Sequence, residues 1–320
     1  MIKLVLSVAT SALLLSASAW AQGDWLLVGN KGDDSVSFID LDTGREVARR
    51  GVSGTAPHEI AVSPDGTRAA VVNYGGNAID LFDIATKAVV ETIDLGANTR
   101  PHGIVWLADG RIVATTEGSD TVVVVVEGGE VRSIATGQEG THMLAVHGDG
   151  RRMFVANMQS ATVSEIDLTR GETVRSVSAG AEPEGIAVVG DEVWVADRGG
   201  DRVLVFAADG LERLAEIAVG AFPIRILASP DGRHLVTSNL RDGSVSVIDA
   251  AAREVVRTIV VSGTAETQQV TLLFSPDGSR LYVAETGWDK IAEMDFASGE
   301  VLGRLSGGSQ GDGLAIVEVP

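Results

Sequence analysis

The chain has 320 residues, 45% of them hydrophobic but only 4% aromatic, with 38 glycines, no cysteine and a formal net charge of −19. That charge disfavours phosphate backbones and anionic lipid surfaces as partners, and no run of lysine and arginine supplies a local basic patch, so nucleic-acid binding is not expected. The lack of cysteine excludes thiolate metal ligands, a cysteine nucleophile and attached c-type haem, and the glycine-rich, aromatic-poor profile suits short strands and tight turns.

Residues 1–21 read as a secretory leader. Met1-Ile2-Lys3 is a short basic start, Leu4 to Leu15 is apolar, and Ala19-Trp20-Ala21 is a small-x-small cleavage site. The apolar run is too short for a stable spanning helix, and an uncleaved anchor is the weaker alternative. No later segment is long and apolar enough to cross a bilayer. The expectation is a periplasmic or secreted monomer in which residues 22–320 form one domain.

The next stretch, residues 24–53, holds three predicted strands. From Thr55 a longer unit begins, TAPHEIAVSPDG, and it recurs. Pro57-His58-Glu59-Ile60, Pro101-His102-Gly103-Ile104, Thr141-His142-Met143-Leu144, Pro183-Glu184-Gly185-Ile186 and Pro223-Ile224-Arg225-Ile226 fall into register. Gln269-Val270-Thr271-Leu272 and Gly311-Asp312-Gly313-Leu314 complete seven copies, spaced 40 to 46 residues apart.

Each copy predicts the same four strands. The first ends in an Asp-Gly turn such as SPDG at Ser63, Ser229 and Ser275, where glycine accepts the positive φ of a tight hairpin. The second ends in a polar residue: Asn30, Asn73, Glu117, Asn157, Asp197, Asn239 and Glu285. The third ends in aspartate in most copies (Asp40, Asp83, Asp167, Asp249, Asp295), and the fourth is less regular, as in Glu254 to Val261. Those aspartates read as turn acceptors for backbone N–H groups, not as calcium ligands.

Seven four-stranded units predict an all-β, seven-bladed β-propeller. Residues 24–53 lack a first strand, and Gly313 to Val319 supply a lone one. Joining them closes the ring. The segments Pro57–Gly66, Phe154–Asn157 and Val245–Asp249 resemble the YVTN family of β-propeller repeats, and the resemblance extends over the mature chain. It implies the fold and leaves the activity open, since such propellers serve as enzymes and as binding proteins.

In such a blade the first strand lines the central channel. The residue that opens it reads, around the ring, Asp312, His58, His102, His142, Glu184, Ile224, Val270. Three of the five histidines fall in these seven positions. His58, His102 and His142 are candidate ligands for a divalent transition metal (Zn, Cu, Fe or Mn), since neutral imidazole suits all four. Glu184 and Asp312 are candidate added ligands or general bases on metal-bound water. Asn73, Glu117 and Asn157 are candidate orienting partners for His58, His102 and His142 in turn. Arg100, Arg198 and Tyr74 are candidate contacts to a small anionic substrate. The competing reading makes the histidines polar channel lining, multiplied by internal duplication. His147, in a turn on the far face, and His234, inside a strand, stand apart.

Two functions remain open on these residues. One is metal-assisted hydrolysis or elimination on a small polar substrate. The other is a non-catalytic exported propeller that binds a metal, a small ligand or a partner protein.

Overall fold

The computed structural model describes residues 24–126 and 129–318; the leader expected at residues 1–21 lies outside them. Among the described residues the strands form seven four-stranded sheets. Neighbouring strands within each sheet are antiparallel, as in the blade made of Pro57–Val62, Arg68–Asn73, Ala78–Asp83 and Ala88–Asp94. We letter the strands a to d in that order. Blades 2 to 7 begin at Pro57, Pro101, Thr141, Pro183, Pro223 and Gln269.

Blade 1 is composite. Its strand a is Gly311–Val317, paired with Trp25–Asn30, and residues up to Gly51 complete the sheet. The a strands of neighbouring blades pack on one another all the way around, including blade 7 on blade 1 and blade 1 on blade 2. The ring is closed, as the two partial repeats require.

Packing explains the sequence pattern of each strand. Strands b and c are covered on both faces by adjacent blades, so Trp25–Asn30 is buried throughout instead of alternating. Strand d forms the rim, and Arg45–Gly51 is almost wholly exposed. The apolar core lies between blades. Trp25 and Phe38 of blade 1 meet edge-to-face at 6.3 Å, and Phe38 meets Phe82 of blade 2 at 6.2 Å. Each such fully buried side chain contributes on the order of 1.5–3 kcal/mol.

Two repeated polar devices hold the turns. The aspartates ending strand c accept from the backbone ahead, Thr43 to Asp40 at 2.8 Å and Ala252 to Asp249 at 2.7 Å. The asparagines ending strand b donate across to strand c, Asn73 to Asp80 at 3.0 Å and Asn157 to Ser164 at 2.8 Å. No helix among the described residues is long and apolar enough to cross a membrane.

Candidate functional site

The start of strand a is irregular in a consistent way. In every blade its pairing to strand b slips at this point, for example between Pro57 and Ile60 and between Thr141 and Leu144. Such a bulge re-aims the side chains around it: it skips His58 and Glu59 in blade 2, and Ile224 in blade 6, where Arg225 resumes the ladder opposite Ser238. The opening residues therefore reach the axis, and in blades 2 and 6 so does the next one, Glu59 and Arg225. Gly103, Gly185 and Gly313 occupy that second position in blades 3, 5 and 1. A Cβ on Gly313 would lie 1.9 Å from the His58 carbonyl oxygen, so only glycine admits the neighbouring strand there.

All seven predicted positions line one cavity of about 380 Å³, together with Lys31, Tyr74 and Arg225. The three imidazoles stack in order, His58 on His102 at 4.1 Å and His102 on His142 at 3.6 Å between ring centres. All three are buried, His102 to 2% exposure. Ile224 and Val270 form an apolar wall on the other side of the ring.

The stack divides electrostatically. His142 has both nitrogens engaged, Nδ1 with Glu117 at 2.8 Å and Nε2 with Glu184 at 3.4 Å. Burial pushes its pKa down, but the two carboxylates outweigh it and raise the pKa. His58 is lowered to about 3 by burial, against the opposing pull of Asp312. His102 is lowered by burial and by the neighbouring imidazoles and Arg225. His58 and His102 are thus neutral near pH 7, and each has a buried Nδ1 atom with no hydrogen-bond partner. His58, Glu59 and His102 each offer a donor atom, and those atoms lie within 4.8 Å of one another.

The carboxylates of the cavity are ion-paired. Glu184 accepts from Arg225 at 2.6 Å and from Arg198. Burial alone would raise its carboxyl, but His142 and the two guanidinium groups hold it down to about 2. Asp312 accepts from Lys31 at 2.5 Å and Thr271 at 2.8 Å, and His58, Lys31 and Arg225 keep it well below the usual carboxylate range despite burial.

The orienting partners sit differently from the sequence expectation. Asn73 and Asn157 hydrogen-bond to neither His58 nor His142; they are fully buried within their own blades, bonded to strand c. Glu117 serves His142 of the next blade, not His102. The reason is register: strand b of blade 3 ends at Thr116, which pairs with Pro101, so Glu117 occupies the following position, shared with Lys31, Tyr74 and Arg198. That position faces the channel mouth. Tyr74 bonds Glu117 at 3.1 Å and lies against the His58 and His102 rings, and Arg100 pairs with both Tyr74 and Glu117. Arg198 pairs with Glu182 and Glu184. Outside the site, His147 pairs with Asp149 and Asp191, and His234 lies against Phe296.

Glu59 is the site residue that sequence reasoning missed. Strict strand alternation turns it away from the axis, and only the bulge brings it in. The signal available was its company: an acidic residue in an otherwise apolar strand, at the position where a blade across the ring carries Arg225.

The fold and the site together define a seven-bladed propeller with a stacked-imidazole, ion-paired pocket on its axis. A family model described as "Lactonase, 7-bladed beta-propeller" matches residues 43–254, and the chain belongs to that family. Protein NirF of Stutzerimonas stutzeri is 24% identical over 300 residues, covering 85% of this chain and 75% of that protein. Hydrazine synthase subunit beta of Kuenenia stuttgartiensis is 28% identical over 246 residues, covering 66% of this chain and 58% of that protein.

Among solved structures, Kuenenia stuttgartiensis hydrazine synthase matches with a TM-score of 0.75 at 20% identity, over 85% of this chain and 92% of that one. "Dihydro-heme d1 dehydrogenase NirN in complex with DHE" matches with a TM-score of 0.66 at 15% identity, over 91% and 74%. A functionally unknown protein from Desulfotomaculum acetoxidans DSM 771 matches with a TM-score of 0.77 at 14% identity, over 92% and 99%. These structural likenesses show the shared fold.

Proposed function

We propose that this chain is an exported binding propeller that takes a haem-type ligand, an anionic ring carrying its own metal, in the mouth of its channel. The observation that carries the reading is the pair of buried, neutral imidazoles, His58 and His102, each with an unpartnered nitrogen. Buried polar atoms are nearly always satisfied, so an orphaned nitrogen in a cavity calls for a ligand. A ring that carries its own metal would need one further nitrogen donor from the protein, and His58 or His102 would supply it.

The rim fits the rest of such a ligand. Lys31, Arg100 and Arg198, each already paired with a carboxylate, stand at the mouth of a protein that is otherwise strongly acidic, and anionic groups on the ring edge would compete with those carboxylates for them. Ile224 and Val270 offer an apolar face. When bound, the group supplies a metal centre that the chain's own residues orient and shield from water. The dihydro-heme d1 dehydrogenase named above is in complex with DHE, and that association on the same fold supports the reading.

Glu184 and Asp312 do not favour a hydrolase. Each is held ionised by cations at hydrogen-bond distance, which makes it a weak base at neutral pH. The second reading is a bare divalent ion, Zn, Cu, Fe or Mn, on His58, Glu59 and His102. The clustering of their donor atoms favours it, with Glu59 taking the place expected for His142.

Titration of the untagged chain with haemin, and separately with each metal salt, tests both. The haem reading expects a saturable Soret shift that weakens by ~10–100-fold in His58→Ala/His102→Ala. An unchanged haemin spectrum alongside stoichiometric zinc would overturn it in favour of the bare ion.

A further inference from the structure

Directly beside the imidazole stack, a guanidinium crosses the channel. Arg225 stands on strand a of blade 6 and is buried. Its Nη2 donates to Glu59 of blade 2 at 3.1 Å, and its Nη1 donates to Glu184 of blade 5 at 2.6 Å. Blades 6 and 2 are three steps apart one way around the ring and four the other, so the Glu59 contact spans the axis. The register shifts at the start of both strands lie beside these side chains, and glycine holds the same position in blades 1, 3 and 5, with Met143 and Thr271 in blades 4 and 7.

This bridge lands on the carboxylate of the candidate cation set. Of its three members, Glu59 alone can carry negative charge, and that charge is already matched by Arg225. A dication arriving there would meet two neutral imidazoles, a neutralised carboxylate and a fixed positive group in contact with it. In a buried site such like-charge repulsion is only weakly screened. A metal inside a dianionic ring has most of its charge cancelled before it arrives, and it needs no anionic donor from the protein.

We propose that Arg225 is the specificity-determining residue of the pocket: by occupying Glu59 it excludes free divalent cations and leaves His58 and His102 to a metal that arrives within an anionic chelate. The proposal rests on the haem-type reading for the identity of the admitted ligand. The exclusion of bare cations stands on the Arg225–Glu59–Glu184 geometry alone.

The test is calorimetric titration with zinc sulfate of the wild-type chain, Arg225→Met, Glu59→Gln and the double variant, with unfolding curves recorded for each. Arg225→Met gains zinc affinity by ~10-fold or more, and the double variant loses that gain because Glu59 is the donor set free. Glu59→Gln alone leaves the weak wild-type affinity where it was, and this arm decides the matter if Arg225→Met does not fold. Wild-type zinc affinity tighter than ~1 µM, or a tenfold loss in Glu59→Gln, overturns the proposal. So does a gain that persists in the double variant. A separate haemin titration of the wild-type chain keeps the two ideas apart. Failure to bind haemin defeats the ligand reading, and the zinc series still decides what Arg225 does.

Discussion

Glu117 Oε2 lies 2.8 Å from Nδ1 of His142, and this contact splits three chemically identical side chains into two kinds. With Glu184 on its other nitrogen, His142 is held between two carboxylates that favour its protonated form. His102, stacked on it at 3.6 Å, is neutral and retains an unpartnered nitrogen. Position in the repeat made the three histidines equivalent. Their neighbours across the blade boundaries separate them.

Histidine NMR titration reads this division directly. His142 is expected to hold its proton above the ordinary 6.5, because Glu117 and Glu184 overcome its burial, while His58 and His102 stay neutral down to acid pH, His58 to about 3. Glu117→Gln lowers the His142 value and leaves the other two neutral. Three imidazoles titrating together near 6.5 would contradict the assignment.

Acid stability follows Glu184. Its folded pKa of about 2 lies below the ordinary 4.5, so the stability it contributes is complete above about 4.5 and is lost as pH falls toward 2. Asp312 is shifted in the same direction. Glu59, raised by burial, acts in the opposite sense and favours the fold as it takes up a proton. Melting temperatures across this range should fall less steeply for Glu184→Gln than for the wild type. Equal slopes would show that the Glu184 ion pairs carry no net coupling to the fold.

Two glycine substitutions separate close approach from strand propensity. Gly313→Ala forces a Cβ to within 1.9 Å of the His58 carbonyl oxygen, whereas nothing lies within 4 Å of a Cβ on Gly303. Gly313→Ala should cost about 2 kcal/mol or more in chemical denaturation, since overpacking against backbone has no easy relief. Gly303→Ala, on an outer strand, should be neutral or slightly stabilising.

The strand-c aspartates predict indifference to calcium. Asp249 and Asp295 spend an oxygen on the turn backbone at 2.7 and 2.8 Å. Asp249→Ala should cost about 1 kcal/mol with or without EDTA, and calcium should not move the wild-type melting temperature. A calcium-dependent rise would show that the turns hold ions.

Much of this was legible from repeat register. The spacing of Pro57, Pro101 and Thr141 gave the blades, the complementary ends gave the closure of Gly311–Val317 on Trp25–Asn30, and the opening positions gave the seven cavity residues. What escaped depended on departures from regular strands. The bulge that turns Glu59 inward breaks the two-residue alternation on which strand reading rests. The end of blade 3's second strand at Thr116 shifts Glu117 by one residue, and so by one partner. The pairing of Arg225 with Glu59 joins residues 166 apart, a separation that no local pattern encodes.

The central claim is that His58 or His102 donates a nitrogen to the metal of a ring ligand. Resonance Raman spectra of the ferrous haem complex, with natural and ¹⁵N-labelled histidine, test it most directly. The account predicts a low-frequency band that shifts on labelling and disappears in His58→Ala/His102→Ala. A haem complex whose spectrum ignores the label, or keeps the band in that double variant, would contradict it.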